Sequence, residues 1–409
     1  MKIKILAIFL IGFVLCSCAK QNEPDSRTTL TIAAGATAIE TELLREQIGI
    51  FEKENPGIQV KLLALPPSSS QQHDVFVTYL SAKNSTIDVF NLDIIWIAEF
   101  SAAGWLAPLE PYWASIDRQD FLKGTMDACT YHGLLYAVPW FSSCGLLYSR
   151  IDVLNRFGFE VPKTWDELKN IVRQIQSQEP QWAGFVWQGA QYEGLACNFY
   201  EAYWANGNYK STLQRMHESI SENISPRSVL SYKEEDARRV FMDGKALFMR
   251  NWPYVWSIIQ NNPDLKDKVA LSPLCWGDNP QHGVSCLGGW NLAISRYSKH
   301  PDLAWKLVAF LTAKNQMREK CLRTSEFPTR KSLLEDAKIQ GHNPYWDKIH
   351  EVLLNARSRP TTPFYSDWSL KLQFEVSKSL SDPSAPYDHI ADILKLKWKE
   401  IMDLEEKGQ

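Results

Sequence analysis

The sequence predicts an α/β protein, and three observations carry that prediction. Strand-like stretches alternate with amphipathic helical ones from residue 29 onward. Gly and Pro punctuate the changes, as at Pro56-Gly57. Hydrophobic residues make up 45% of a 409-residue chain, enough for two or three domains with cores of their own. Such alternation implies a largely parallel sheet with helices on both faces.

Taken in order, residues 29–34 read as a strand and 40–54 as a helix with Leu44, Ile48 and Phe51 along one face. After Pro56-Gly57 comes a strand over 58–65, then a helix over about 71–82, then a short strand over 89–92 ending at Asp93. A second alternating region follows Tyr136. Thr164-Trp165-Asp166-Glu167 has the form of a capping box, in which the Thr oxygen and the Glu carboxylate satisfy free N–H groups at a helix start. Leu168, Ile171, Val172 and Ile175 continue that helix at spacings of three and four. Residues 234–242 read as a helix stopping near Gly244. Late helices are expected over 301–313, with Ala304, Leu307, Val308 and Leu311 buried, and over 387–405. There is no internal repeat and no low-complexity segment.

The start of the chain reads as an export signal. Lys2 and Lys4 precede an apolar run, 5–15, that is short of the ~20 residues a membrane span needs. Leu15-Cys16-Ser17-Cys18 then resembles the lipobox of bacterial lipoproteins, which implies cleavage before Cys18, lipid on its thiol and a membrane-anchored mature protein; the alternative is an ordinary cleaved signal. Residues 1–17 form the leader, and polar residues up to 28 a tether. Removal of Lys2 and Lys4 with the leader takes the formal net charge from −3 to −5. That acidity, with no block of five like charges, argues against a nucleic-acid partner.

The six cysteines beyond the leader, Cys129, Cys144, Cys197, Cys275, Cys286 and Cys321, are an even number in a compartment where disulfides persist. A bridge from Cys275 to Cys286, across the turn-rich 277–280, and a set of reduced, buried thiols are both open. No cluster has metal-ligand spacing, and neither a metal nor an organic cofactor is expected. Sixteen tryptophans suggest that some rings, three to five, line a surface that receives a ligand with flat apolar faces, such as a sugar. Enzyme motifs are missing: no G-x-S-x-G, H-E-x-x-H, Walker loop or G-x-G-x-x-G occurs. Carboxylate pairs are inevitable among 47 acids, so their spacing nominates no catalytic dyad.

Several segments, in order, resemble the extracellular solute-binding proteins that serve ABC importers for sugars. They are 51–60, Phe-Glu-Lys-Glu-Asn-Pro-Gly-Ile-Gln-Val; 241–246, Phe-Met-Asp-Gly-Lys-Ala; 250–254, Arg-Asn-Trp-Pro-Tyr; and 287–295, Leu-Gly-Gly-Trp-Asn-Leu-Ala-Ile-Ser. The segments 184–189 and 191–195 add likeness to the trehalose- and maltose-binding members. The resemblance spans nearly all the chain beyond the leader and implies a two-lobed fold of the periplasmic-binding-protein type II kind, with a hinge between lobes. It implies lobe one at 29–141 plus 295–356 and lobe two at 143–292 plus 359–409. It implies no catalysis, a small-carbohydrate ligand, and partners in ABC permease subunits with an ATPase. By match to the family's sugar-contacting positions, Glu42, Asp93, Phe141, Ser143, Trp252, Tyr254, Gly289, Trp290 and Arg359 are the candidate ligand-binding residues. Carboxylates and the guanidinium would hold hydroxyls, and the rings would stack. The family carries a tyrosine and an aspartate where this chain has Phe141 and Ser143, and this chain lacks the family's arginine pair near Gln72-His73, so the disaccharide preference is not simply inherited. An exported glycoside hydrolase, and a sugar sensor or adhesin on the same scaffold, are the alternatives.

Overall fold

Two sheets organise the chain. The computed structural model describes residues 27–35, 37–279, 283–382 and 384–408, so the leader, Cys18 and nearly all of the tether lie outside the described residues. The strands are β1 (Thr28–Ala34), β2 (Ile58–Ala64), β3 (Val89–Asp93), β4 (Thr130–Tyr131), β5 (Leu134–Leu135), β6 (Ala137–Cys144), β7 (Leu146–Arg150), β8 (Ala183–Val186), β9 (Ala246–Asn251), β10 (Val269–Ser272), β11 (Leu287–Ile294) and β12 (Phe327–Pro328). A six-stranded sheet has the order β12-β6-β11-β3-β1-β2, a four-stranded sheet the order β10-β7-β9-β8, and β4 and β5 form a small hairpin.

The expectation of a largely parallel sheet is corrected. Among the described strands only β1 with β2, β1 with β3, and β8 with β9 pair in parallel; β11 runs antiparallel to both β3 and β6. The reason is the crossings between lobes. β6 ends at Cys144, Gly145 follows, and β7 begins in the other sheet. A strand that enters from another lobe needs no crossover helix and is free to run antiparallel. β11 belongs to the six-stranded sheet over its whole length, so a lobe-two boundary at 292 falls inside the wrong sheet; its pairing with β3 and β6 is what holds it there.

The helices follow their apolar stripes. Trp165–Gln178 buries Leu168, Ile171, Val172 and Ile175, and the Thr164 side chain accepts from the Glu167 N–H. The Glu167 carboxylate reaches past Thr164 to accept from the Lys163 N–H at 2.6 Å, so the capping box closes one residue early. Pro301–Leu311 buries Ala304, Leu307, Val308 and Leu311. Glu234–Met242 ends before Gly244, which takes φ +70°.

Ten tryptophans are buried, among them Trp165 stacked on Trp276 at 5.3 Å. Packing, rather than ligand contact, absorbs most of the sixteen. All six described cysteines are free and buried, so no Cys275–Cys286 bridge forms. The Cys286 N–H instead donates to Glu201 Oε1 at 3.2 Å.

The lobes are laced where they join. Ser285 Oγ donates to the Gly145 carbonyl at 2.6 Å, the Arg357 N–H to the Ser285 carbonyl at 3.0 Å, and the Leu287 N–H to the Arg357 carbonyl at 2.8 Å. Beside this lacing lies a fully buried ion pair, with Arg250 Nη2 and Nε 2.6 and 3.0 Å from the two Glu201 carboxylate oxygens. Gly145 is required there: a Cβ would sit 2.1 Å from Glu201 Oε1.

Candidate functional site

A cavity of about 370 Å³ opens between the two sheets, within the ~300–1,000 Å³ usual for small-molecule sites. β3 delivers Asp93 to its edge, as a strand's carboxyl end should. Asp93 Oδ1 accepts from the Ile95 N–H at 3.3 Å and from Arg359 Nη2 at 3.1 Å. Arg359 Nη1 donates to Glu193 Oε1 at 2.6 Å. Glu193 opens the helix Glu193–Asn206, and its carboxylate also accepts from the hydroxyls of Tyr365 and Ser369, at 2.7 and 2.5 Å. The guanidinium therefore clamps one carboxylate from each lobe. Burial pushes the Asp93 carboxyl up and the Arg359 charge pulls it back, without fully offsetting the burial.

The aromatic walls have separate supports. Trp290, half-buried on β11, meets Trp96 edge-on at 5.7 Å. Trp252 follows β9, carries the Arg250 guanidinium 3.9 Å from its ring centroid, and donates from Nε1 to Glu234 at 3.4 Å. The Tyr254 hydroxyl donates to Glu235 at 2.8 Å. Gly288 and Gly289 keep the floor flat: a Cβ on Gly288 would lie 2.9 Å from Ser143 Oγ, and one on Gly289 3.1 Å from the Phe141 carbonyl.

Seven of the nine candidate residues line this one cavity: Asp93, Ser143, Trp252, Tyr254, Gly289, Trp290 and Arg359. Two do not. Glu42 is exposed, and Glu40 takes the place in the lining; two residues turn an α-helix through about 200°, to its opposite face. Phe141 is buried beneath the Lys320 ammonium, which sits 4.0 Å from its ring centroid. Sequence reasoning missed Glu40, Glu193, Glu326 and the run Lys233 to Asp236, all in the lining. The acid-rich first turn at 234–236 carries a visible signal, and Glu193 lies within a segment that carries the family likeness. Glu326 sits in no motif. Of the tryptophans, only Trp252 and Trp290 line the cavity, fewer than expected. Gln72 and His73 are occupied elsewhere, Gln72 Nε2 with the Pro66 carbonyl at 2.8 Å and His73 with Glu99 at 3.0 Å.

A family profile described as bacterial extracellular solute-binding protein matches residues 33–318. The chain belongs to this family. The maltose-bound MalE3 of Thermotoga maritima is 36% identical, with a TM-score of 0.84 over 90% of this chain and 99% of that one. A probable ABC transporter-binding protein of Deinococcus radiodurans is 29% identical over 88% of this chain and 90% of its own length. A maltotriose-binding protein of Pyrococcus abyssi is 24% identical over 75% of this chain and 68% of its own. The two-lobed, sugar-binding solute-binding protein is thus the frame in which the cavity is read. Its relatives are binding proteins rather than enzymes. Among the described residues, no helix is long and apolar enough to cross a membrane.

Proposed function

We propose that this chain is the lipid-anchored substrate-binding subunit of an ABC importer. It holds a small carbohydrate, an α-glucoside of the trehalose or maltose kind, between its lobes and passes it unchanged to a permease powered by an ATPase. The observation that carries the reading is the convergence of Trp252 and Trp290 with the Asp93–Arg359–Glu193 clamp in one cavity. Stacking rings with carboxylates and a guanidinium suit a ligand with apolar faces and a belt of hydroxyls. The names of the maltose-bound and maltotriose-binding relatives favour an α-glucoside. In this reading 18–28 tether the protein through Cys18, the lobes are 29–144 plus 287–356 and 146–272 plus 359–409, and ligand shifts an open–closed equilibrium that the permease senses.

The test is a fluorescence titration of the soluble protein with trehalose, maltose, maltotriose and a wider sugar panel. Saturable quenching or enhancement by an α-glucoside, weakened about tenfold or more in Trp252→Ala, is expected; silence across the panel removes the carbohydrate ligand. For the anchor, Cys18→Ser should move the protein from the membrane to the soluble fraction.

A further inference from the structure

The cavity is strongly acidic. Seven carboxyl side chains line it, against only Lys233 and Arg359. Most of the acids are engaged: Asp93 and Glu193 by Arg359, Glu235 by Arg238 and Tyr254, Asp236 by the Lys233 N–H, Glu234 by Trp252 Nε1, and Glu40, through Oε2, by the Thr37 N–H and hydroxyl. Lys233 itself leans over the Tyr192 ring at 5.3 Å.

Glu326 is different. It is 5% exposed, and its Oε2 has no hydrogen-bond partner. The chain goes to some lengths to put it there. The helix Lys314–Thr324 ends in Ser325 at φ +58°, a left-handed conformation uncommon outside glycine, and that turn presents Glu326 just before β12 pairs with Ser142 and Phe141. Glu40 stands beside it, close enough to raise its affinity for a proton further after burial has done so. The nearby cation, Lys320, lies 3.7 Å from Glu40 Oε1, outside the lining and stacked over Phe141 and Trp140. Two carboxyls thus share one ammonium, and both line the cavity, one of them with a buried carboxylate oxygen that has no partner.

Building on the carbohydrate reading above, we propose that the cleft takes a sugar bearing a basic amine, and that Glu326 and Glu40 seat that amine. A protonated amine brings three donors and one positive charge, which satisfies the free Oε2 and balances the second carboxylate at once. A hydroxyl brings one donor and no charge. An acidic sugar meets a wall of its own sign.

The test uses matched sets on one skeleton: trehalose, trehaloses aminated at C2, C4 or C6, and the corresponding uronic acid, with parallel sets on maltose. Calorimetry on the whole mature protein should show one amino sugar binding at least about tenfold tighter than its neutral parent, and the acid about tenfold weaker or not at all. In Glu326→Gln the amine-to-neutral ratio should fall toward one, with Glu40→Gln intermediate; thermal melts confirm that both variants fold. Neutral sugars that bind as well as every amine overturn this proposal and leave the carbohydrate reading standing. A wild-type amine preference untouched in both variants overturns the assigned seat. If no sugar of any charge binds, both readings fall.

Discussion

Arg359→Met is the sharpest probe of the site. Methionine keeps most of the apolar stem but removes a guanidinium that is 3% exposed and holds Asp93 at 3.1 Å and Glu193 at 2.6 Å. Removing one partner of a buried ion pair costs about 3–5 kcal/mol, because the other charge is left behind. Here two acids are stranded, and the fold answers by keeping a proton on one of them. Asp93 already has its carboxyl raised by burial, with Arg359 the main influence lowering it, so the substitution raises it further. A carboxyl raised in the folded state contributes stability that is present below its unfolded value, near pH 4, and is lost as pH climbs toward the folded one, by up to about 1.4 kcal/mol per pH unit. The variant should therefore melt close to wild type at pH 4.5 and roughly 4–6 °C lower at pH 8. Circular dichroism melts of both proteins at pH 4.5, 6 and 8 read the difference directly. A deficit that is the same at all three pH values, or a loss under about 1 kcal/mol at pH 8, would refute the buried-clamp argument.

Three further outcomes are expected. Gly145→Ala would place a methyl 2.1 Å from Glu201 Oε1 and 2.8 Å from Arg250 Nη2, forcing apart a fully buried pair; a loss of about 3 kcal/mol or more by chemical denaturation is expected, and near-wild-type stability would be the contrary result. Asp120 is disfavoured as an anion by burial, yet hydrogen bonds from Ser332, Lys314 and Arg330 hold its carboxyl down at about 2. Its contribution is present above pH 4 and lost as pH falls through about 2, so Asp120→Asn should cost roughly 1–3 kcal/mol at pH 7 and progressively less in acid melts. The six buried thiols, with Cys275 pushed up to about 12 by burial, should resist an aromatic disulfide reagent in the native protein at pH 8 and all react once guanidinium unfolds it; fewer than six would reveal a bridge.

Local order was legible wherever a single helix face or cap decides it. Leu168, Ile171, Val172 and Ile175 sit at helical spacing, and they are the residues the helix Trp165–Gln178 buries. What a period cannot show is the direction from which a strand arrives. β11 has the same apolar look whether it runs with β3 or against it, and the lobe crossing decides that it runs against. At the site, motif residues on strand ends and on the segment after β9 were placed together because short chain geometry constrains them. Glu42 was not, since a helix assigns faces at 100° per residue and a shift of two positions reverses the side. Glu326 had no signal at all: its place depends on a left-handed Ser325 and on long-range contacts with Glu40 and Lys320. The tryptophans misled because large rings such as Trp165 and Trp276 serve the core of a long chain as readily as a binding wall.

The lacing of Gly145, Ser285 and Arg357 bears on how the halves travel. Separate straps would let each half roll, shear and swivel independently. Straps stitched side by side behave as a ribbon, soft to folding across its width and stiff to skewing within its plane. Gape then reduces to a single angle, read from the distance between one point on each half.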